Sequence, residues 1–229
     1  MKKHGAIAFI PARKNSKRLP GKNKRLLHGV PLFQYTVVAA LDSNCYEKVV
    51  LTTDDEEIIE LGSKIHGLTV IRRPEALARD DVRAKDVVLH HLGEMAEDFE
   101  YVSLLMATSP FRDAGDIQRS FALLREQGGD SLASVVAYEF HPALALKIRD
   151  GQLYSYFDLE INWVREGEFE KAYHFNGAIF TAKTEFLLAA GTFVHTGTIA
   201  YPMDRLKSMD IDTELDFRSA ELILGEPRP

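Results

Sequence analysis

The sequence predicts an α/β fold in which a mainly parallel sheet is covered by helices on both faces. Two observations carry this. Short apolar runs alternate with segments of helical period along roughly the first 140 residues, and several of the runs are apolar enough to be buried on both faces. A strand, helix, strand, helix order implies right-handed crossovers, which place helices on both sides of the sheet. The chain has 229 residues, 45% hydrophobic and 27% charged, enough to bury a core as one domain (1–229) with a modest excursion.

The elements follow in order. "GAIAFI" (5–10), "KVVLTT" (48–53), "LTVIR" (68–72), "YVSLLMA" (101–107) and "SLASVVAY" (131–138) read as strands. Between them "PLFQYTVVAALDS", "DDEEIIELGSKIHG", "DVRAKDVVLHHLGEMAEDF" and "DAGDIQRSFALLREQGG" read as helices, the last opening on acids and closing on a glycine pair. From about 140 to 175 the chain is rich in aromatic and charged residues without a clear amphipathic helix. This insertion reads as a β excursion or as an arm that reaches a second subunit. "NGAIFTA", "TIAYPM" and "KSMDID" then read as strands, and "TELDFRSAELIL" as a closing helix.

Composition narrows the function classes. One cysteine, Cys45, excludes an intramolecular disulfide framework and a multi-cysteine zinc site, and a reducing cytoplasm is the simplest compartment. "MKKHGAIAFIPAR" reads as a first strand rather than a signal peptide, because Pro11 and Arg13 break its apolar run. No stretch approaches the roughly 20 apolar residues that cross a bilayer. A soluble protein with no membrane partner is expected.

The net charge is −6, yet Arg13 to Arg25 holds seven of the 28 basic residues and none of the 34 acids, which leaves the rest of the chain at −13. Such a remainder repels nucleic-acid backbones, so a small polyanion held locally fits better than nucleic acid. The alternative is a solvated basic loop. The loop follows the first strand, where an open parallel sheet gathers ligands. It is neither a Walker loop nor a dinucleotide fingerprint. Asn15, Ser16 and Gly21 can present backbone N–H groups while Arg13, Lys17 and Lys22 offer charge, a combination suited to a triphosphate or pyrophosphate.

A second cluster is "MDIDTELDF". In a strand, Asp210 and Asp212 share one face, and paired carboxylates are what Mg²⁺ prefers. Asp-x-Asp is a weak signal alone and gains weight beside a phosphate-type loop. Thr213 with Asp216 matches a capping box, which accounts for the neighbouring acids. Cations and a metal around a triphosphate suggest nucleotidyl transfer.

"IPARKNSKRLPGKN", "RRPEAL", "TSPFR", "NGAIF" and "DIDTELDF", in this order and spacing, resemble the acylneuraminate cytidylyltransferases over nearly the whole chain. The resemblance implies a Rossmann-like nucleotide-sugar transferase fold, a homodimer, and Mg²⁺-dependent conversion of CTP and a nine-carbon 2-keto sugar acid to CMP-sugar and pyrophosphate. By the same likeness Arg13, Ser16, Lys22 and Asn23 would hold CTP, with Lys17 in the same motif and Arg13 and Lys22 stabilising the leaving pyrophosphate. Arg73 would reach the nucleotide, with Arg72 the neighbouring candidate, and Asp210 and Asp212 would bind metal, making Asp212 a catalytic candidate. Thr108 and Asn176 would face the sugar, and the insertion at about 140–175 would serve dimerisation. Arg165 stands near the place of an arginine that approaches the partner's sugar carboxylate.

The family often reads Gln-Pro-Thr-Ser-Pro where this chain reads "MATSP", so Met106 occupies the place of a sugar-contacting glutamine. A thioether lacks the amide's donors and strong acceptor. That extends the expected substrates to relatives such as legionaminic acid. A 3-deoxy-manno-octulosonate cytidylyltransferase is the rival enzyme, and a non-catalytic nucleotide-binding module is the rival of another class. Elsewhere, His90 and His91 read as helix-face residues without partners at ligand spacing, and Cys45 reads as inert. Trp163, Tyr154, Tyr156 and Phe157 read as interface or core, and Asp54 and Asp55 as caps of the next helix.

Overall fold

The computed structural model describes residues 4–157 and 169–225. The first apolar run forms β1 (His4–Pro11), and the basic loop after it leads into a small hairpin of β2 (Leu26–Leu27) and β3 (Val30–Pro31). There follow α1 (Leu32–Asp42), β4 (Lys48–Thr53), α2 (Glu56–Ser63), β5 (Leu68–Arg72), α3 (Ala84–Glu94), β6 (Phe99–Leu104), α4 (Ala114–Gln127) and β7 (Ser131–Ala137). The insertion supplies an antiparallel hairpin of β8 (Leu146–Arg149) and β9 (Gln152–Ser155). The chain closes with β10 (Tyr173–Lys183), α5 (Thr184–Ala190), β11 (Ile199–Pro202) and α6 (Glu214–Gly225).

Seven strands make one sheet in the order β11-β7-β10-β6-β1-β4-β5. Only β10 runs against its neighbours; the remaining pairings are parallel. The centre shows why β1 is almost wholly apolar. Ala6, Ala8 and Ile10 point into the core beneath α1 and α4, while Ile7 and Phe9 enter the opposite core with Val88 of α3 and Leu187 of α5. Period-two geometry sends alternate side chains to opposite faces, and both are covered here. Phe9 is fully buried, so truncating it to alanine would cost about 3–5 kcal/mol.

A third, smaller core positions the site. Leu19 of the basic loop, Leu27 and Leu32 pack with Ile211 and with Phe217 and Ala220 of α6. Arg25 lies over the Phe217 ring and is ion-paired with Glu214, pinning the same helix. Burial of Leu19 and Ile211 thus draws the two sequence motifs together although about 190 residues of chain separate them.

Three expectations change. Residues 207–212 do not form a strand: Lys207 and Ser208 lie in a turn, and the run to Asp212 crosses the end of the sheet with Ile211 N–H donating to the Thr108 carbonyl at 2.9 Å. Helix α5 is additional; seven residues are too few for a helical period to stand out. The insertion contains its β excursion, but Trp163 and Arg165 fall outside the described residues. Among the described residues, no helix is long and apolar enough to cross a membrane.

Candidate active site

A cleft of about 670 Å³ opens at the carboxyl ends of β1, β4 and β6, where the strand order reverses on either side of β1. It brings together Arg13, Ser16, Lys17, Lys22 and Asn23 from the basic loop with Arg73 beyond β5. Met106, Thr108, Asp210 and Asp212 complete the lining.

Local bonds shape the loop. Ala12 N–H donates to the Thr52 carbonyl at 3.0 Å, Lys14 N–H to Asp54 Oδ1 at 2.7 Å, and Asn23 Nδ2 to the Arg13 carbonyl at 2.9 Å. Gly21 takes φ of 66°, a left-handed conformation that glycine adopts without strain, and starts the tight turn that aims Lys22 inward. Asp54 therefore braces the loop, while Asp55 caps α2 by accepting from Glu57 N–H at 3.0 Å. Of the seven basic residues, Arg13, Lys17, Arg18 and Lys22 line the cleft. Lys24 instead pairs with Asp55 and Glu57, and Arg25 with Glu214.

The cleft neutralises itself with ion pairs. Asp80 meets Arg13 at 2.7 Å and Lys17 at 2.8 Å. Asp212 meets Lys22 at 2.7 Å and Arg18 at 2.5 Å. The bond from Lys17, and then that from Arg13, holds the Asp80 carboxyl below its ordinary range. Asp210 is open to solvent but crowded by the cleft wall; desolvation pushes its carboxyl up, against a hydrogen bond from Thr108. Arg73 is buried, donates to the Thr52 carbonyl at 3.1 Å, and is drawn down to about 10 by desolvation. Arg72 instead turns outward to Glu56. Asn23 Oδ1 and Arg73 Nε are buried without partners among the described residues, so both can bond a ligand.

Asp210 and Asp212 offer hard carboxylate oxygens at one cleft wall, and Asp212 already draws two cationic side chains. Such a donor set fits Mg²⁺, which takes one or two carboxylates with phosphate oxygens and waters.

The opposite wall is neutral. Thr36 Oγ1 donates to the Met106 carbonyl at 3.0 Å, and Gly177, at φ of 78°, lies behind Met106 where β10 bulges. Asn176 stands outside the cleft lining, in a buried network. Its Oδ1 accepts from Ser134 Oγ at 2.5 Å and Ala178 N–H at 3.1 Å, and its Nδ2 donates to Ser208 Oγ at 2.9 Å. Arg112, fully buried, donates to the Ala178 carbonyl at 3.1 Å and ties "TSPFR" to the same bulge. Asp80 is not signalled by the sequence, whereas Arg112 closes the "TSPFR" motif without its burial being legible there. Cys45 is half-buried and burial pushes its thiol up, away from reactivity. Tyr154, Tyr156 and Phe157 are exposed at the β8–β9 hairpin and the turn after it, and are not core.

A family model described as cytidylyltransferase matches residues 7–197. The chain is 35% identical over 215 residues to the N-acylneuraminate cytidylyltransferase of Escherichia coli O18:K1:H7, covering 93% of this chain and 51% of that protein. It is 34% identical over 229 residues to the CMP-N,N'-diacetyllegionaminic acid synthase of Legionella pneumophila, covering 95% of each. The chain thus spans about half the length of the first curated relatives it matches. A solved CMP:2-keto-3-deoxy-manno-octonic acid synthetase complexed with CTP superposes with a TM-score of 0.70 at 16% identity, covering 96% of this chain and 98% of that one. At that identity the likeness is one of fold.

Proposed function

Since this chain belongs to the cytidylyltransferase family, we propose that it converts CTP and a nonulosonic sugar acid to the CMP-sugar and pyrophosphate. One observation carries the reading: four loop cations and three carboxylates, Asp80, Asp210 and Asp212, line a single cleft at the strand-order switch. The relatives named for N-acylneuraminate and diacetyllegionaminic acid support a nine-carbon 2-keto acid as the acceptor.

In this reaction the anomeric hydroxyl oxygen forms a bond to the α-phosphorus as the bond to the β-phosphate bridging oxygen breaks, and the hydroxyl proton is lost. Arg13 and Lys22 would stabilise the charge that builds on the departing pyrophosphate, exchanging their carboxylate partners for phosphate oxygens. Ser16, Lys17 and Asn23 would orient the nucleotide from the loop, and Arg73 from the strand ends. Asp210 and Asp212 would hold Mg²⁺, which when bound supplies Lewis-acid stabilisation of phosphoryl oxygens. Met106 and Thr108 would bound the sugar. We further propose a homodimer working in the cytoplasm. The exposed Ile148, Leu153, Tyr156 and Phe157 around the β8–β9 hairpin offer an apolar surface that a second copy would cover, and a single cysteine suits a reducing compartment.

The test is pyrophosphate release from CTP and Mg²⁺ with N-acetylneuraminate, a legionaminate and 3-deoxy-manno-octulosonate in separate reactions. Turnover with a nine-carbon acid is expected. Turnover with the eight-carbon acid alone, or with none, overturns the reading.

A further inference from the structure

Away from the Asp210 and Asp212 pair, three side chains of metal-ligand type converge on the last turn of α3. Helix geometry explains the convergence. Glu94 follows His90 by four residues and His91 by three, so its carboxylate rises one turn above both and falls between the two rings. His90 Nε2 lies 3.3 Å from Glu94 Oε2, and His91 Nδ1 lies 3.9 Å from the same oxygen. The three ligand atoms fall within 4.8 Å of one another. Two ligands at ~2.0–2.1 Å from a tetrahedral ion stand about 3.4 Å apart, close to the His90–Glu94 separation of 3.3 Å, and side-chain rotations that draw the remaining atoms together from within 4.8 Å complete the set.

Further features favour a cation here. His90 Nε2 is buried and has no hydrogen-bond partner among the described residues. His91 is buried, with its ring stacked on Phe9 and its Nε2 bonded to Thr52 Oγ1 at 2.9 Å, which leaves Nδ1 toward Glu94. A second-side hydrogen bond of that kind is how metal-bound imidazoles are usually held. Burial keeps this imidazole below its ordinary value, in the neutral form that ligates. The C-terminal turn also carries the negative end of the helix dipole. The opposing cation, Arg73, is bonded to the Thr52 carbonyl, on the Nε2 side of the ring.

We propose that His90, His91 and Glu94 bind a divalent ion of the zinc class, with water completing the shell. Two imidazoles and a carboxylate select such an ion over Mg²⁺, which prefers oxygen alone. The site is separate from the Asp210 and Asp212 pair. Thr52 connects it to the cleft, because its hydroxyl meets His91 and its carbonyl meets Arg73.

The untagged 229-residue chain, stripped with a chelator, is titrated with Zn²⁺ in competition with a chromogenic chelator, and separately with Co²⁺ to record ligand-field absorption. One equivalent is expected, persisting in millimolar Mg²⁺, with affinity falling at least tenfold in both His90→Gln and Glu94→Gln. Circular dichroism checks that these variants fold. In Asp212→Ala the affinity is expected to hold. Absence of stoichiometric binding, binding indifferent to both helix variants, or loss of binding in Asp212→Ala overturns the proposal.

Discussion

The two walls of the cleft are built from opposite materials. Most of the basic-loop wall is a set of ion pairs between partly exposed groups: Lys17 is 77% and Arg18 68% exposed, and Asp80 is 46% exposed, while Lys22 beside Asp212 is buried. The wall carrying Met106 backs onto a dry network in which Ser134 and Asn176 are almost wholly buried. Exposed pairs contribute only ~0–1 kcal/mol each, so an incoming triphosphate can displace them. A buried amide with its donors and acceptor engaged, as Asn176 has, lacks such freedom. The nucleotide side is therefore able to exchange partners, whereas the sugar side is held in shape.

The largest effect expected from this contrast is on the exchangeable wall. Asp212→Ala removes a carboxylate that, among the described residues, bonds Lys22 and Arg18, so the fold stays intact by circular dichroism while turnover falls about 10²- to 10³-fold. Unaltered turnover would remove Asp212 from the chemistry. On the rigid wall the expected loss is in stability. Asn176→Ala strips the acceptor from Ser134 Oγ and Ala178 N–H and the donor from Ser208, and should cost about 1–3 kcal/mol in chemical denaturation. A variant as stable as the parent would show that the network is not what holds this wall.

Asp80→Asn gives a smaller, opposite change. It frees Arg13 and Lys17 from a partly exposed carboxylate, so CTP affinity measured by calorimetry should rise by up to about fivefold and become more sensitive to salt. Weaker CTP binding would mean that Asp80 positions the two cations rather than competing for them.

Strands β4 and β5 coincide with the apolar runs read from sequence, because both pair in the sheet, β4 within it and β5 at its edge, and end at clear polar boundaries. The crossing of 209–212 was not legible: an Asp-Ile-Asp alternation looks like a strand whether its hydrogen bonds go to a neighbouring strand or, as here, to the Thr108 carbonyl from Ile211 and to the Asp216 carboxylate from Asp212. Asp80 was hidden for another reason. It sits among arginines and aspartates with no local pattern, and its partners Arg13 and Lys17 lie far away in the chain, Arg13 by 67 residues. Charge counting also overstated the loop's reach, since Lys24 and Arg25 serve the fold. Asn176 could be placed near the site by motif, but the saturation of its amide depends on Ser134 and Ser208, which only the fold brings together.

Met106 lets the comparison be tested where the walls meet. Its side chain lines the cleft and is only partly buried, while its carbonyl is fixed by Thr36 and the Gly177 backbone lies behind it. Glutamine has nearly the same length and an unbranched stem, so Met106→Gln should leave stability and CTP affinity within about twofold, since volume-conserving changes at partly exposed sites cost little. What changes is the chemistry offered to the sugar: two amide donors and an acceptor replace a weak thioether acceptor. An added hydrogen bond to an acyl or hydroxyl group contributes about 0.5–1.5 kcal/mol. The ratio of kcat/KM for N-acetylneuraminate over a legionaminate should therefore shift by roughly two- to tenfold. If Met106→Gln alters CTP affinity instead, the position belongs to the exchangeable wall; an unchanged ratio would place sugar selection elsewhere in the cleft.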